Sequence, residues 1–240
     1  MPQYFIEEIK NDLVVFSSEQ SHHLRDVLRC NIDDVVRVVD PTGKVYLVTI
    51  TQLLPAIIAR IIKSIEVNEE GPFIRLLPVL IKKEKWEWLL QKAVEFGVSE
   101  IVPLFSERCV IKLNPRDILK KVNRWNKITK EACQQCLRNL PVEVKTPIPL
   151  TMVSEFTADI KIVAYEEAAI IDHLANFLQD KKIGSINIII GPEGGLAVNE
   201  VNQLLTSNYQ PVSLGRRILR SESAGIYSLV TIDNWLRKNR

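Results

Sequence analysis

Histidine, cysteine and glycine are all scarce in this 240-residue chain, and each scarcity closes off a kind of chemistry. The three histidines, His22, His23 and His173, offer neither a catalytic triad nor a metal set. The four cysteines, Cys30, Cys109, Cys133 and Cys136, do not form a disulfide framework in a chain of this size. Cys133 and Cys136 make a CxxC, but no second ligand pair stands at finger spacing. The pair falls within a helical-looking stretch, Trp125–Leu140, where two small residues simply share a face. No two of the nine glycines are separated by a single residue, so the GxGxxG of ordinary dinucleotide loops is absent, and GxxxxGK and GxSxG are missing too. Nucleotide hydrolysis, acyl-serine chemistry and metal catalysis all become poor assignments.

Long apolar runs are also lacking. The most apolar stretches, around Ala56–Ile62 and Ile186–Ile190, fall far below the ~20 residues needed to span a bilayer. The opening MPQYFIEEIKND is acidic where an export signal is basic and then apolar. The expectation is a cytoplasmic protein with no membrane partner.

What is present is an uneven distribution of charge beneath a net of +2. Residues 1–70 carry 7 Lys and Arg against 11 Asp and Glu, whereas residues 71–145 carry 15 against 8. The middle third therefore holds an excess of +7, in KKEKW, ERCVIK and RDILKKVNRWNKITK. A local basic surface is the electrostatic footprint of a nucleic-acid binder, and equally the look of solvated helix faces on which Lys and Arg alternate with Glu.

Residues 1–70 read as short β-branched strands (QYFIEEI, LVVF, VVRVVD, VYLVTITQLL, AIIARIIKSIEV) parted by turn formers such as Asp40-Pro41-Thr42-Gly43. One helical insertion, HHLRDVLR, places Arg25 and Arg29 four apart on one edge. A small β-barrel fits, bounded by Asn68-Glu69-Glu70-Gly71-Pro72. From residue 73 to 240, strand-like runs Phe73–Ile81, Ile101–Phe105, Ile160–Tyr165, Ile186–Ile190 and Pro211–Leu214 alternate with helical ones. The latter lie near Glu84–Phe96, Asp117–Leu140, Ile170–Gln179, Glu200–Ser207 and Glu222–Arg237. The alternation predicts an α/β domain with a mostly parallel sheet covered on both faces.

Ligands of open α/β sheets sit beyond the carboxyl ends of the strands. One such loop is Gly191-Pro192-Glu193-Gly194-Gly195, where backbone can approach a ligand closely, although a glycine cluster alone fits a tight turn as well. The next is Leu214-Gly215-Arg216-Arg217-Ile218-Leu219-Arg220, running into a helix for which Ser221 is a natural N-cap and Glu222 a first-turn acid. That helix is apolar around much of its circumference, as a helix covered by its own domain or by a second subunit would be.

GPEGG at Gly191–Gly195 followed by LGxRILRxExA at Leu214–Ala224 resembles the ribosomal RNA small-subunit methyltransferase E family, of the SPOUT or α/β-knot superfamily. The likeness runs on through QKAVEFGVSEIVPLFSERCV (Gln91–Val110), EACQQCLR (Glu131–Arg138) and HHLRDVLR, and so covers nearly the whole chain in order. Two positions depart from the family pattern: Ser223 stands where Thr is usual, and Asp33 where Gly usually precedes Asp34.

The resemblance implies a PUA-like β-barrel at 1–70 and, at 73–240, a methyltransferase domain tied into a deep trefoil knot. It further implies a homodimer with each active site at the subunit interface, and S-adenosylmethionine-dependent methylation of N3 of one uridine in 16S ribosomal RNA without a metal. Ile190, Gly191, Gly194, Gly195, Leu214, Gly215, Ile218 and Leu219 would form the cofactor slot. Arg220 would stabilise charge developing on the uracil oxygens, with Glu193 and Glu222 accepting the proton or holding Arg220. Lys82, Lys83, Lys85, Arg108, Arg124 and Arg138, with Arg25 and Arg29 from the barrel, would contact phosphates of the RNA or small ribosomal subunit. Two other readings stand beside this one: the same chemistry on another ribosomal or transfer RNA base, and a non-catalytic RNA-binding protein.

Overall fold

The computed structural model describes residues 1–67, 71–168, 172–179, 181 and 183–238. The chain divides into two compact units, Met1–Glu70 with Cys133–Pro141, and Gly71–Ala132 with Val142–Arg240. The segment 133–141 thus belongs with the N-terminal strands, although sequence position alone puts it in the C-terminal domain. Within the first unit it is held by Gln3 Nε2 donating to the Arg138 carbonyl (2.6 Å) and Asn139 Nδ2 donating to the Gly43 carbonyl (3.0 Å).

The first unit is a five-stranded sheet of β1 (Gln3–Phe5), β2 (Leu13–Val15), β3 (Val35–Val39), β4 (Val45–Gln52) and β5 (Ile58–Ile65), in the order β1-β3-β4-β5-β2. β1 runs parallel to β3 and the remaining pairs are antiparallel, with register shifts where β4 meets β5. Such bulges sharpen the twist that curls a sheet around its own core. That core holds Val14, Phe16, Leu24, Val36, Val38, Val48, Ile50 and Ile57.

The expected helical insertion is present but irregular. A five-residue helix α1 (Ser18–His22) passes into a π-turn over His23–Val27, and Arg29 follows at φ +55°. The left-handed residue takes Arg29 off the helix, so Arg25 and Arg29 do not share an edge, and the Arg25 guanidinium pairs with Asp26 instead (3.0 Å). Asp33 adopts φ +74°, a left-handed conformation that favours glycine and that a short acidic side chain tolerates.

The second unit carries a six-stranded sheet, all parallel. Its strands are β6 (Phe73–Pro78), β7 (Glu100–Ile101), β9 (Glu143–Val144), β11 (Ile160–Ala164), β12 (Ser185–Ile190) and β13 (Gln210–Val212), ordered β13-β11-β12-β6-β7-β9. The single strand read over Ile101–Phe105 is divided at Val102-Pro103: β7 ends at Ile101 and β8 (Leu104–Phe105) pairs instead with β10 (Ile148–Pro149). Proline, with no N–H to give the ladder, sits at the break.

Neighbouring residues of the strands point to opposite faces. Leu77, Val163 and Ile189 meet Val201 and Leu204 of α5 (Val198–Thr206). Leu76 and Ile190 face α6 (Ser221–Lys238), where a Cβ on Gly225 would come within 4.0 Å of both, and α6 packs on α2 (Lys83–Glu95). Burying each such Leu or Ile contributes about 1.5–3 kcal/mol, so two covered faces account for the near-continuous apolar strands.

Of the helix read over Ile170–Gln179, residues 170 and 171 lie outside the described residues, and α4 (Leu174–Phe177) is a single turn capped by His173 Nδ1 accepting from the Ala175 N–H. The helix read to Leu140, α3 (Ile118–Gln135), stops five residues early. Leu137 takes φ +63° and the Arg138 N–H returns to the Cys133 carbonyl, a left-handed cap made without glycine. Cys136 therefore lies past the helix end, and all four cysteines are free thiols.

Candidate functional site

Parallel register brings four strand ends into one row. Val212 of β13 pairs with Ala164 of β11, Ala164 with Ile190 of β12, and Ile190 with Pro78 of β6. The loops leaving the first three of these ends enclose a cleft of about 280 Å³, at the lower end of small-molecule sites. Its lining includes Ile190, Gly191, Gly195, Leu214, Gly215, Ile218 and Leu219, together with Glu193 and Arg220. Two loops separated in sequence by α5 and β13 are thus brought face to face, as the strand-end rule anticipates.

Glycine is required at two of these positions. Gly195 sits at φ +68°, and a Cβ there would lie 2.6 Å from Glu166 Oε1. Gly215 sits at φ +109°, a backbone region that side chains rarely enter, with only His173 Nε2 within 4 Å of its would-be Cβ. Gly194 is different. It does not line the cleft; its carbonyl accepts from Arg108 Nη1 (3.1 Å) on the outer side of the loop.

Ser221 does not spend its hydroxyl on capping α6. The hydroxyl donates to the Gly191 carbonyl at 2.7 Å and ties one loop to the other, while the Arg220 carbonyl takes the first helical bond, from the Ala224 N–H. Ile218, placed in the slot by its sequence neighbours, is 88% exposed at the cleft's rim. Arg216, Arg217 and Arg220 are exposed, and among the described residues no ion pair engages any of them.

The two candidate carboxylates differ in place. Glu193 lines the cleft, whereas Glu222 is buried outside it, with Oε2 lacking any hydrogen-bond partner. Neither holds Arg220. Both face Lys85, whose Nζ lies 3.5 Å from Glu222 Oε1 and 3.9 Å from Glu193 Oε1. Lys85 therefore stands apart from Lys82 and Lys83, which are exposed on the entry to α2.

The remaining cations are scattered. Arg108 is turned onto Gly194, and Arg124 makes a bidentate pair with Glu87 (2.9 and 3.0 Å), which holds the Glu87 carboxyl below its ordinary range. Arg138 and Arg25 belong to the first unit, as does the exposed Arg29.

A third loop was not singled out by the sequence reading. Tyr165 and Glu166, following β11, line the cleft, and Tyr165 donates to Glu167 (2.9 Å), a bond that raises its phenol above the ordinary range. The strand-end rule applied to Ile160–Tyr165 would have found them. Pro192, Leu196, Ser213 and Ala224 add to the walls, as do Arg216 and Arg217. Cys109, whose thiol burial pushes up, sits near Glu193 and donates to the Leu80 carbonyl. No group of His, Cys, Asp and Glu among the described residues could hold a metal ion, and no described helix is long and apolar enough to cross a membrane.

Comparison with known proteins extends over the same parts. A family model described as an RNA methyltransferase domain matches residues 69–233, and one described as an RNA methyltransferase PUA domain matches residues 16–60. Ribosomal RNA small subunit methyltransferase E of Buchnera aphidicola from Acyrthosiphon pisum is 31% identical, over 97% of this chain and 92% of its own. The protein of the same name from Mesomycoplasma hyopneumoniae is 34% identical over 95% and 97%. The crystal structure of a ribosomal RNA small subunit methyltransferase E from Neisseria gonorrhoeae bound to S-adenosyl methionine superposes with a TM-score of 0.87, at 27% identity, covering 98% of each chain. With a PUA-like sheet preceding a parallel α/β sheet, this chain belongs to the ribosomal RNA small subunit methyltransferase E family of RNA methyltransferases.

Proposed function

We propose that the protein transfers a methyl group from S-adenosylmethionine to N3 of one uridine in 16S ribosomal RNA. The observation that carries this is the cleft itself: glycine backbone on two walls, apolar side chains between them, and a guanidinium that makes no ion pair among the described residues. The cleft suits the cofactor, since Gly191, Gly195 and Gly215 leave backbone groups open to a purine edge while Ile190, Leu214 and Leu219 supply apolar faces. When bound, the sulfonium supplies an already activated methyl group, so the chain's own task is to orient the acceptor in line and to manage one proton.

N3 of uracil is an imide nitrogen that must lose its proton, and negative charge then develops on the flanking ring oxygens. Arg220, exposed at the cleft and held by no carboxylate among the described residues, is the group to stabilise that charge. Glu193, which lines the cleft together with Glu166 and stands on the glycine loop, takes the proton. Glu222, buried away from the cleft, plays no direct part in the transfer.

Assembly as a homodimer fits the surface of α6 and the cleft rim. Ile218 and Tyr227 are exposed, and Ile226, Val230, Trp235 and Leu236 are only half-buried, which leaves apolar surface for a second copy to cover. RNA phosphates are to be met by exposed cations that make no ion pair among the described residues: Lys82 and Lys83 at the start of α2, the latter also acting on Glu87 through its charge, Arg216 and Arg217 at the rim, and Arg29 in the first unit.

The test is mass mapping of 16S RNA from cells lacking the protein, followed by methyl transfer in vitro with labelled S-adenosylmethionine. A single uridine losing its N3 methyl, and regaining it with purified protein, is the expected result. Normal methylation in the deleted strain, with label entering another RNA, would assign a different substrate. Sedimentation of the 27.4 kDa chain should give a dimer at micromolar concentration, and a stable, active monomer would refute the shared assembly.

A further inference from the structure

We infer that Lys85 is a positioning residue for methyl transfer, which gathers Glu193 and Glu222 onto one ammonium and so leaves Arg220 unpaired at the cleft. The inference rests on the proposed roles of Arg220 and Glu193. Three elements meet at Lys85: the first turn of α2, on which it stands, the loop after β12, which carries Glu193, and the first turn of α6, which carries Glu222.

Glu193 and Arg220 line the same cleft, and carboxylate–guanidinium pairs are strong where the two groups meet. Glu193 makes no such pair among the described residues; its carboxylate lies 3.9 Å from the Lys85 ammonium. Glu222, two residues from Arg220, is likewise turned inward to Lys85, which is its only ion-pair partner among the described residues. Its second oxygen is buried with no hydrogen-bond partner, so the carboxylate depends on Lys85 for compensation. At one-third exposure the Lys85 side chain is poorly placed to serve a phosphate, unlike its neighbours Lys82 and Lys83. Removing the ammonium releases Glu193 towards Arg220, which occupies the proton acceptor and the charge stabiliser with each other.

The experiment compares Lys85→Met and Lys85→Arg in single-turnover methyl transfer to small-subunit RNA, with cofactor and RNA affinities measured separately. Lys85→Met should lose about 10- to 100-fold in the rate at saturation, the scale of a misplaced catalytic group. Cofactor affinity, and the slope of RNA affinity against salt, should stay as in the parent. Lys85→Arg, which keeps the charge, should recover most of the rate. A full rate at saturation with a salt slope lowered by about 0.7–0.9 would make Lys85 a phosphate contact and overturn the inference. Equal loss in both variants would reduce it to helix packing.

A second measurement does not depend on which RNA is modified. In a thermal-unfolding cycle of Lys85→Met and Glu222→Gln, the double variant should lose less than the two single shifts added together. Additive shifts would dissolve the bridge. Inactivity of the parent on 16S RNA with coupling intact would instead count against the proposed substrate.

Discussion

Between Gly191 and Leu196 the cleft wall is tied to the protein at almost every turn, whereas between Leu214 and Arg220 it is held at its ends and bare in the middle. In the first wall the Gly191 carbonyl accepts from Ser221, the Gly194 carbonyl from Arg108, and the Gly195 N–H returns to Pro192. Behind it the buried Glu200 carboxylate accepts from the N–H groups of Glu107 and Ala197. In the second wall the Gly215 N–H reaches the Ser213 hydroxyl at 3.2 Å, and beyond it stand an exposed Ile218 and three arginines engaged in no ion pair among the described residues. A wall braced in this way, with one backbone group tied at each of Gly191, Gly194 and Gly195 and the rest left for a ligand, is pre-organised at little further cost in ordering. A wall of free guanidiniums and uncovered apolar surface is finished only by what binds to it.

The difference is sharpest at Arg220. If the bare wall is where charge is met, Arg220→Ala should lower single-turnover methyl transfer by roughly 10²–10³, the scale of losing one oxyanion donor. Affinity for S-adenosylmethionine should change far less, because the tied wall carries most of that binding. A loss confined to cofactor affinity would make Arg220 part of the slot and erase the distinction.

The two glycines set the walls against each other more finely. Gly195→Val is strained by its φ of +68° in the tied wall, where the bonded backbone has little room to yield, so it should lower both cofactor affinity and the unfolding temperature. Gly215→Val is strained by its φ alone, by about 1–3 kcal/mol, in a segment with room to yield. It should weaken cofactor binding about 10- to 100-fold, by that strain, and barely move the melting curve. Calorimetric titration and circular dichroism read the two outcomes, and equal thermal losses would show the walls to be equally rigid. Smaller again is Ser221→Ala, which unties one wall from the other. Losing that hydrogen bond should cost about 1 kcal/mol, or about 2–4 °C in a chain of this size.

How much of this was legible depends on whether the signal is local. The alternation of strands and helices, the glycine loop and the arginine turn are short-range patterns, and they locate both walls of the cleft. Asp33 could be flagged as a departure, but its φ of +74° emerges only from the fold. The third loop, Tyr165-Glu166, joins the cleft because β11 is hydrogen-bonded beside β12, and strand order is not written in periodicity. The stop of α3 was hidden because Leu137, not glycine, takes the left-handed cap. The π-turn at His23–Val27 likewise defeated a helical reading of Arg25 and Arg29, since regular spacing was assumed where the backbone has none. Threaded connections are so rare that pattern reasoning gives them no weight, and the knotted architecture entered through the family resemblance alone.

Charge is the case where the local signal is hardest to read, and it gives the smallest and most discriminating test. Residues 71–145 hold the excess of positive charge, yet Arg124 is bound to Glu87, 37 residues away, Lys85 to Glu193 and Glu222, and Arg108 to a carbonyl. A count along the chain cannot see partners that the fold supplies from elsewhere. Free cations are the ones able to displace counterions from RNA, each phosphate contact contributing about 0.7–0.9 to the slope of log affinity against log salt. Arg216→Gln with Arg217→Gln should therefore lower that slope by about 1.4–1.8, and Lys82→Gln with Lys83→Gln by a similar amount where both reach phosphates. Arg124→Gln should leave it unchanged, because a guanidinium already neutralised by Glu87 has no counterion to release. If Arg124→Gln flattens the slope while the rim arginines do not, RNA breaks the Glu87 pair on binding. The bare wall would then be reserved for a second protein surface rather than for phosphates.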